Sequence, residues 1–117
     1  MTRPALTRWD DLPLDKVTEM VARKAISGVD ISLTQSYLKK GALVPWHAHR
    51  GEQLIYVLQG ALRARLADRD VTVREGEVLA VPPAVPHQAE ALDDTFVLDV
   101  LSKADADEVR HASESGG

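Results

Sequence analysis

His47 and His49 stand two residues apart at the end of the stretch Leu43-Val44-Pro45-Trp46, and Gln53 follows four residues after His49. On an extended strand alternate side chains share a face, so the two imidazoles point the same way. A third imidazole, His87, lies behind Pro82-Pro83-Ala84-Val85-Pro86. Three imidazole nitrogens with one amide or carboxylate oxygen suit a divalent transition ion. With no sulfur donor, the candidates are Zn, Ni, Fe, Mn and Cu. Glu52 competes with Gln53 for the oxygen position, because neighbouring strand residues face opposite ways and only one can reach the ion. The choice matters electrically. Neutral imidazoles plus a neutral amide leave the ion's charge uncompensated by protein, making it a stronger Lewis acid and an attractor of anions such as a carboxylate.

Residues this far apart in sequence meet only if a folded scaffold brings them together, and the pattern of the chain points to strands. Val29, Ile31 and Leu33 alternate with Asp30, Ser32 and Thr34, a period of two that predicts a half-buried strand. Continuing that register places Gln35 and Tyr37 on the inner face, before Lys39-Lys40-Gly41 turns the chain. Further strands are expected at Leu43 to Trp46, Leu54 to Leu58, Leu62 to Leu66, Val71 to Val73, Val78 to Val81, Val85 to Ala91 and Thr95 to Leu101. Turn signals every eight to twelve residues favour an antiparallel sandwich or barrel, where remote residues share an inner wall. Leu14 to Ala25 could form an amphipathic helix by composition. A strand at Val21 to Ile26 is preferred, because Ser27-Gly28 then makes a hairpin turn. The resulting organisation is an N-terminal arm over residues 1–20, one domain over 21–102 and a polar tail over 103–117. Within the tail, His111 reads as solvent-exposed, and Asp105 to His111 as a helical turn or a disordered stretch.

Composition narrows the function classes. A chain of 117 residues with 44% apolar and 27% charged residues is one ordinary globular domain. Its formal charge of −4 and lack of a basic block argue against nucleic acid or an anionic membrane as partner. No helix-turn-helix segment is apparent. The absence of cysteine removes thiol catalysis and disulfides and fits a reducing compartment. With no apolar leader at the N-terminus and no membrane-length run, the expected location is the cytoplasm.

Two glycine-framed motifs carry a resemblance. Gly41-x5-His47-x-His49-x3-Gln53-x6-Gly60 resembles the first cupin motif, with Gln53 where most cupins have Glu. Gly76-x5-Pro82-x-Ala84-x2-His87 resembles the second, with Ala84 in place of a usual Gly and Ala91 in place of a usual Asn. The resemblance spans residues 29 to 101 and implies an all-β double-stranded β-helix, a jelly-roll barrel. It also implies metal ligands at His47, His49, Gln53 and His87. The spacing to Gly60 selects Gln53 over Glu52 within that pattern. Trp46 and Ala48, opposite in register to the histidines, are expected to face outward. Small cupins commonly pair, so a homodimer is expected too.

Within the cupins, Tyr37-Leu38-Lys39-Lys40-Gly41, the His47 motif and Pro86-His87-x-Ala89-Glu90-Ala91-Leu92 resemble small proteins of pectin and alginate breakdown. Those cupins convert 4,5-unsaturated uronates into linear keto-acids. The resemblance implies a small anionic substrate, Asp99 as acid or base, and Tyr37 and Leu101 as pocket residues. The related enzymes carry Asp-x-Phe-Ser-Pro-Pro-Arg here. This chain reads Asp99-Val100-Leu101-Ser102-Lys103-Ala104-Asp105, so the family arginine is missing, and Lys103, Arg63 or Arg65 are the candidate replacements as carboxylate clamp. Two other functions fit the same residues: a dioxygenase, since three histidines can hold Fe or Cu with open positions, and a small-molecule-binding cupin without catalysis.

Overall fold

Strand formation follows the alternating pattern from Val21 onward, and the computed structural model describes residues 3–102. A short 3-10 turn at Trp9–Asp11 precedes ten strands: β1 (Asp15–Lys16), β2 (Val21–Ser27), β3 (Ile31–Leu38), β4 (Leu43–His47), β5 (Gln53–Gln59), β6 (Ala61–Leu66), β7 (Asp70–Arg74), β8 (Val78–Val81), β9 (His87–Ala91) and β10 (Thr95–Ser102). They form a six-stranded sheet ordered β1-β2-β3-β10-β5-β8 and a four-stranded sheet ordered β4-β9-β6-β7. Pairing is antiparallel throughout. This is the all-β jelly roll expected from the sequence. No helix among the described residues is long and apolar enough to cross a membrane.

The N-terminal segment is more than an arm, because Asp15 and Lys16 pair with Arg23 and Ala22 and extend the large sheet. Leu14 to Ala25 is not helical: β1, a bend at Thr18 to Met20 and the start of β2 occupy it, with the preferred strand beginning at Val21. Val29 belongs to the turn before β3, where the Gly28 N–H donates to the Ile31 carbonyl at 2.8 Å. The polar tail lies outside the described residues, so neither its helical turn nor His111 has a place in this description.

The core forms where the sheets close together. Val57, Val97, Leu38 and Ile55 from the large sheet meet Leu62, Val73, Ala89 and Ala91 from the small one. Alanines on β9 let the small sheet approach closely; each large apolar side chain fully buried here is worth roughly 1.5–3 kcal/mol. Gly60 is required at the β5–β6 turn. Its φ is 92°, and a Cβ there would sit 2.5 Å from the Asp94 carbonyl and the Thr95 hydroxyl. Thr95, fully buried, ties this corner together by donating to the Ala61 carbonyl and accepting from the Ala61 N–H.

Candidate functional site

The histidines line a cavity bounded by residues of both sheets. His47 closes β4 and pairs across the small sheet with His87, the first residue of β9. His49 lies two residues beyond the end of β4, so the pair is not on one regular strand. The register of β4 also shifts between Val44 and His47. Even so, one ligand nitrogen from each of the three imidazoles lies within 4.8 Å of the others. The ring centroids are 4.3–5.3 Å apart.

Backbone carbonyls set the tautomers of two of these rings. His47 Nδ1 is 2.8 Å from the Pro45 carbonyl and His87 Nδ1 is 3.0 Å from the Val85 carbonyl. A carbonyl only accepts, so each Nδ1 carries the proton and each Nε2 keeps its lone pair. The prolines around Val85 and at Pro45 stiffen the segments that supply these carbonyls.

Gln53 is oriented by the same logic. Its Nε2 donates to Asp99 Oδ1 at 3.3 Å, and a carboxylate can only accept, so Oε1 is turned away from Asp99. Gln53 Oε1, His87 Nε2 and both ring nitrogens of His49 are buried without a hydrogen-bond partner. Buried polar atoms are rarely left this way, because each costs about 1–3 kcal/mol. A metal ion would satisfy the orphaned lone pairs together, and the neutral nitrogen and oxygen donor set suits one. Gln53 lines the cavity, whereas Glu52 is exposed and does not.

Electrostatics hold the rings in their ligating form. Burial lowers the pKa of His49 to about 4, reinforced by the neighbouring His47 and His87 and opposed by the Gln53 side chain. Burial also lowers that of His87, against the pull of the Val85 carbonyl. Neutral imidazole is the species that binds metal. Asp99 moves the other way. Burial raises its pKa to about 6, against the hydrogen bond from Gln53 and the charge of Arg23.

These groups line a cavity of about 300 Å3. Asp99 and Leu101 line it; Tyr37 does not. Strand parity is the reason. Ser36 and Leu38 point into the cavity, so Tyr37 points out, where it packs edge-on against Phe96 with centroids 4.9 Å apart. Trp46 does both: it is 40% exposed, as the outward expectation has it, and it borders the cavity where the register of β4 is irregular. The proposed arginine replacements fare no better. Arg63 pairs with Glu90 at 3.8 Å and Arg65 with Asp70 at 3.9 Å, and neither lines the cavity. Lys103 lies outside the described residues. Sequence reading missed Arg23, Thr34 and Ser36, which do line it. A two-residue turn at Ser27-Gly28 would pair Ile26 with Val29 and so Arg23 with Ser32; the longer connection in the structure pairs Ser27 with Ser32 and sets Arg23 opposite Ser36.

Residues 35–102 match the family model of the cupin domain, most of the chain. The chain belongs to the cupin family. Solved cupin structures superpose closely. KdgF from Halomonas sp. aligns with a TM-score of 0.75 at 27% identity, covering 84% of this chain and 94% of that one. An RmlC-like cupin from Shewanella frigidimarina aligns with a TM-score of 0.79 at 22% identity, over 90% and 96% of the two chains. Among curated sequences, 3-hydroxyanthranilate 3,4-dioxygenase from Bos taurus is 33% identical over 57 residues, 45% of this cupin. The matched segment makes up 20% of that dioxygenase, so the likeness is to one part of it.

Proposed function

We propose that this cupin binds one divalent transition metal ion through His47, His49, His87 and Gln53 and acts on a small anionic, sugar-acid-like substrate. The reaction we infer is an isomerisation or ring opening. The observation that carries this reading is the set of buried, unpartnered donor atoms, all neutral, converging in a cavity. A bound ion would supply Lewis acidity toward a carbonyl or hydroxyl oxygen of the substrate. The chain supplies the rest. Backbone carbonyls fix two imidazoles, Asp99 fixes the Gln53 amide, and apolar residues such as Leu101 shield one wall of the cavity.

Asp99 is the acid/base candidate. A carboxyl raised to about 6 exchanges protons near neutral pH, as proton abstraction followed by redelivery to the same molecule requires. Net isomerisation consumes no co-reactant, so a single carboxyl can return the proton that it removes. The motif resemblance to cupins that linearise 4,5-unsaturated uronates favours that substrate class, and the likeness to KdgF over nearly its full length is consistent with a one-domain enzyme. The test is anaerobic incubation of the metal-loaded protein with an unsaturated galacturonate monomer, following loss of the 4,5-double-bond absorbance. Turnover that stops with metal removal and with Asp99→Asn is the expected result. Oxygen consumption with a ring-hydroxylated aromatic acid would instead support the dioxygenase reading, which the 57-residue likeness favours.

A second copy of the chain is the protein partner we propose, docked on the outer face of the large sheet. Directly paired positions there read Ile26, Leu33, Val100, Leu54 and Ala80 across five strands, an unbroken apolar row. A cytoplasmic location accompanies this reading on the grounds of composition.

A further inference from the structure

The inner face of the large sheet carries a line of polar groups leading away from the histidines. Gln53 on β5 contacts Asp99 on β10. Asp99 is paired with Thr34 on β3, and one step along that strand Ser36 is paired with Arg23 on β2. Thr34, Ser36 and Arg23 all line the same cavity as the histidines. Arg23 is the only Lys or Arg among the described residues to do so.

Its guanidinium donates to no side chain among the described residues, while its charge is felt by the half-buried Asp99. A planar fork of donors beside a cavity, with no carboxylate among the described residues in ion-pair contact with it, is available for a carboxylate on a ligand. We propose that Arg23 is the carboxylate-binding residue of this cavity, that Ser36 and Thr34 receive hydroxyls beside it, and that the ligand is a polyhydroxy monocarboxylate reaching from Arg23 to the histidine cluster. The inference rests on the metal-and-anion reading above and adds to it the residue that selects the charge.

Geometry sets the size of the ligand. From β5 to β2 is three strand spacings, roughly 14 Å, of which the arginine stem covers a large part. The remaining gap fits a hexose-sized acid and is too long for a two-carbon acid to bridge. The intervening wall of hydroxyl groups explains why a sugar-like acid is favoured over an apolar one: Thr34 and Ser36 can each donate and accept. An aliphatic acid would leave them unpaired.

Calorimetric titration of the zinc-loaded full chain with D-glucuronate and with its neutral methyl ester tests the proposal, using wild type, Arg23→Gln and Arg23→Lys. The wild type should prefer the acid. Arg23→Gln should weaken acid binding by about tenfold or more while leaving the ester and the zinc content unchanged. Arg23→Lys should fall between, because a point charge lacks the two-pronged geometry. Equal weakening of acid and ester, no weakening in Arg23→Gln, or no preference in the wild type would each overturn it. Zinc content, measured on the same samples, reports separately on the metal centre. A wild type that takes up no zinc but loses its acid preference on Arg23→Gln would defeat the metal reading and leave Arg23 in place.

Discussion

The two faces of the six-stranded sheet invert the usual rule about what a strand hides. Its inner face, at the open end of the barrel, carries Arg23, Thr34, Ser36, Gln53 and Asp99. Its outer face carries Ile31, Leu54, Tyr56, Val78 and Phe96, all exposed, with Ile31 at 57% and Val78 at 56%. At the closed end the ordinary order returns, with Val57 and Val97 buried against the small sheet. A single strand shows the change. Along β10 the inward positions read Thr95, Val97, Asp99 and Leu101, passing from packed core to site within four residues. Polarity here marks a cavity, and apolarity marks the opposite face, the one proposed above to receive a second copy of the chain.

The largest effect that could break this comparison is loss of the metal. His87→Ala removes the ligand paired with His47 in the small sheet, and His49→Ala removes the one in the following loop. Each variant should purify with metal content near zero, measured by elemental analysis against a wild type near one ion per chain. The variants should stay folded, because the core at the closed end does not include these side chains. Full occupancy in either variant would show that the inner face is only a polar wall.

Next in size is the outer face. Replacing Leu54 and Tyr56 together with lysine puts two charges on exposed positions that contribute nothing to the cavity. Sedimentation should change from dimer to monomer, with metal content unchanged. A wild type that sediments as a monomer would remove the partner and leave the apolar row unexplained.

This inversion also accounts for how the sequence reads. The fold was legible, because alternation and glycine-marked turns are local signals. His47, His49, Gln53 and His87 stand out as a group from motif spacing; the structure gathers the three imidazoles within 4.8 Å and sets Gln53 on the same cavity. Tyr37 was misplaced for a physical reason. Alternation of Ile31 and Leu33 ordinarily marks the buried face, and on this strand the apolar face is the outer one. Arg23 was invisible because a short strand with no assigned face gives its charged residues no direction. Its place beside the cavity follows from the pairing of β2 with β3, which sets Arg23 opposite Ser36. Trp46 is exposed as alternation implies, and it borders the cavity as well because the register of β4 is irregular, which period-two reasoning does not anticipate.

The smallest effect concerns how inner-face groups oppose one another as pH falls. His49 has its folded pKa lowered from 6.5 to about 4, so its contribution to stability is present above 6.5 and is lost as pH falls toward 4. Asp99 has its folded pKa raised from 3.8 to about 6. Its contribution is fully present below 3.8 and lost as pH rises through 6. Between pH 6.5 and 4 the two slopes have opposite signs, and the metal-free wild type should show a shallow change in Tm. Asp99→Asn removes one of them while its Oδ1 can still accept the hydrogen bond from Gln53. The metal-free variant should therefore gain stability at pH 7 and lose Tm more steeply than wild type on acidification over that window. Thermal melts at half-unit steps from pH 7 to 4 would show the divergence. Parallel curves would mean that Asp99 is open to water in solution, and would place the polar line from Gln53 to Arg23 on the barrel's rim instead of inside it.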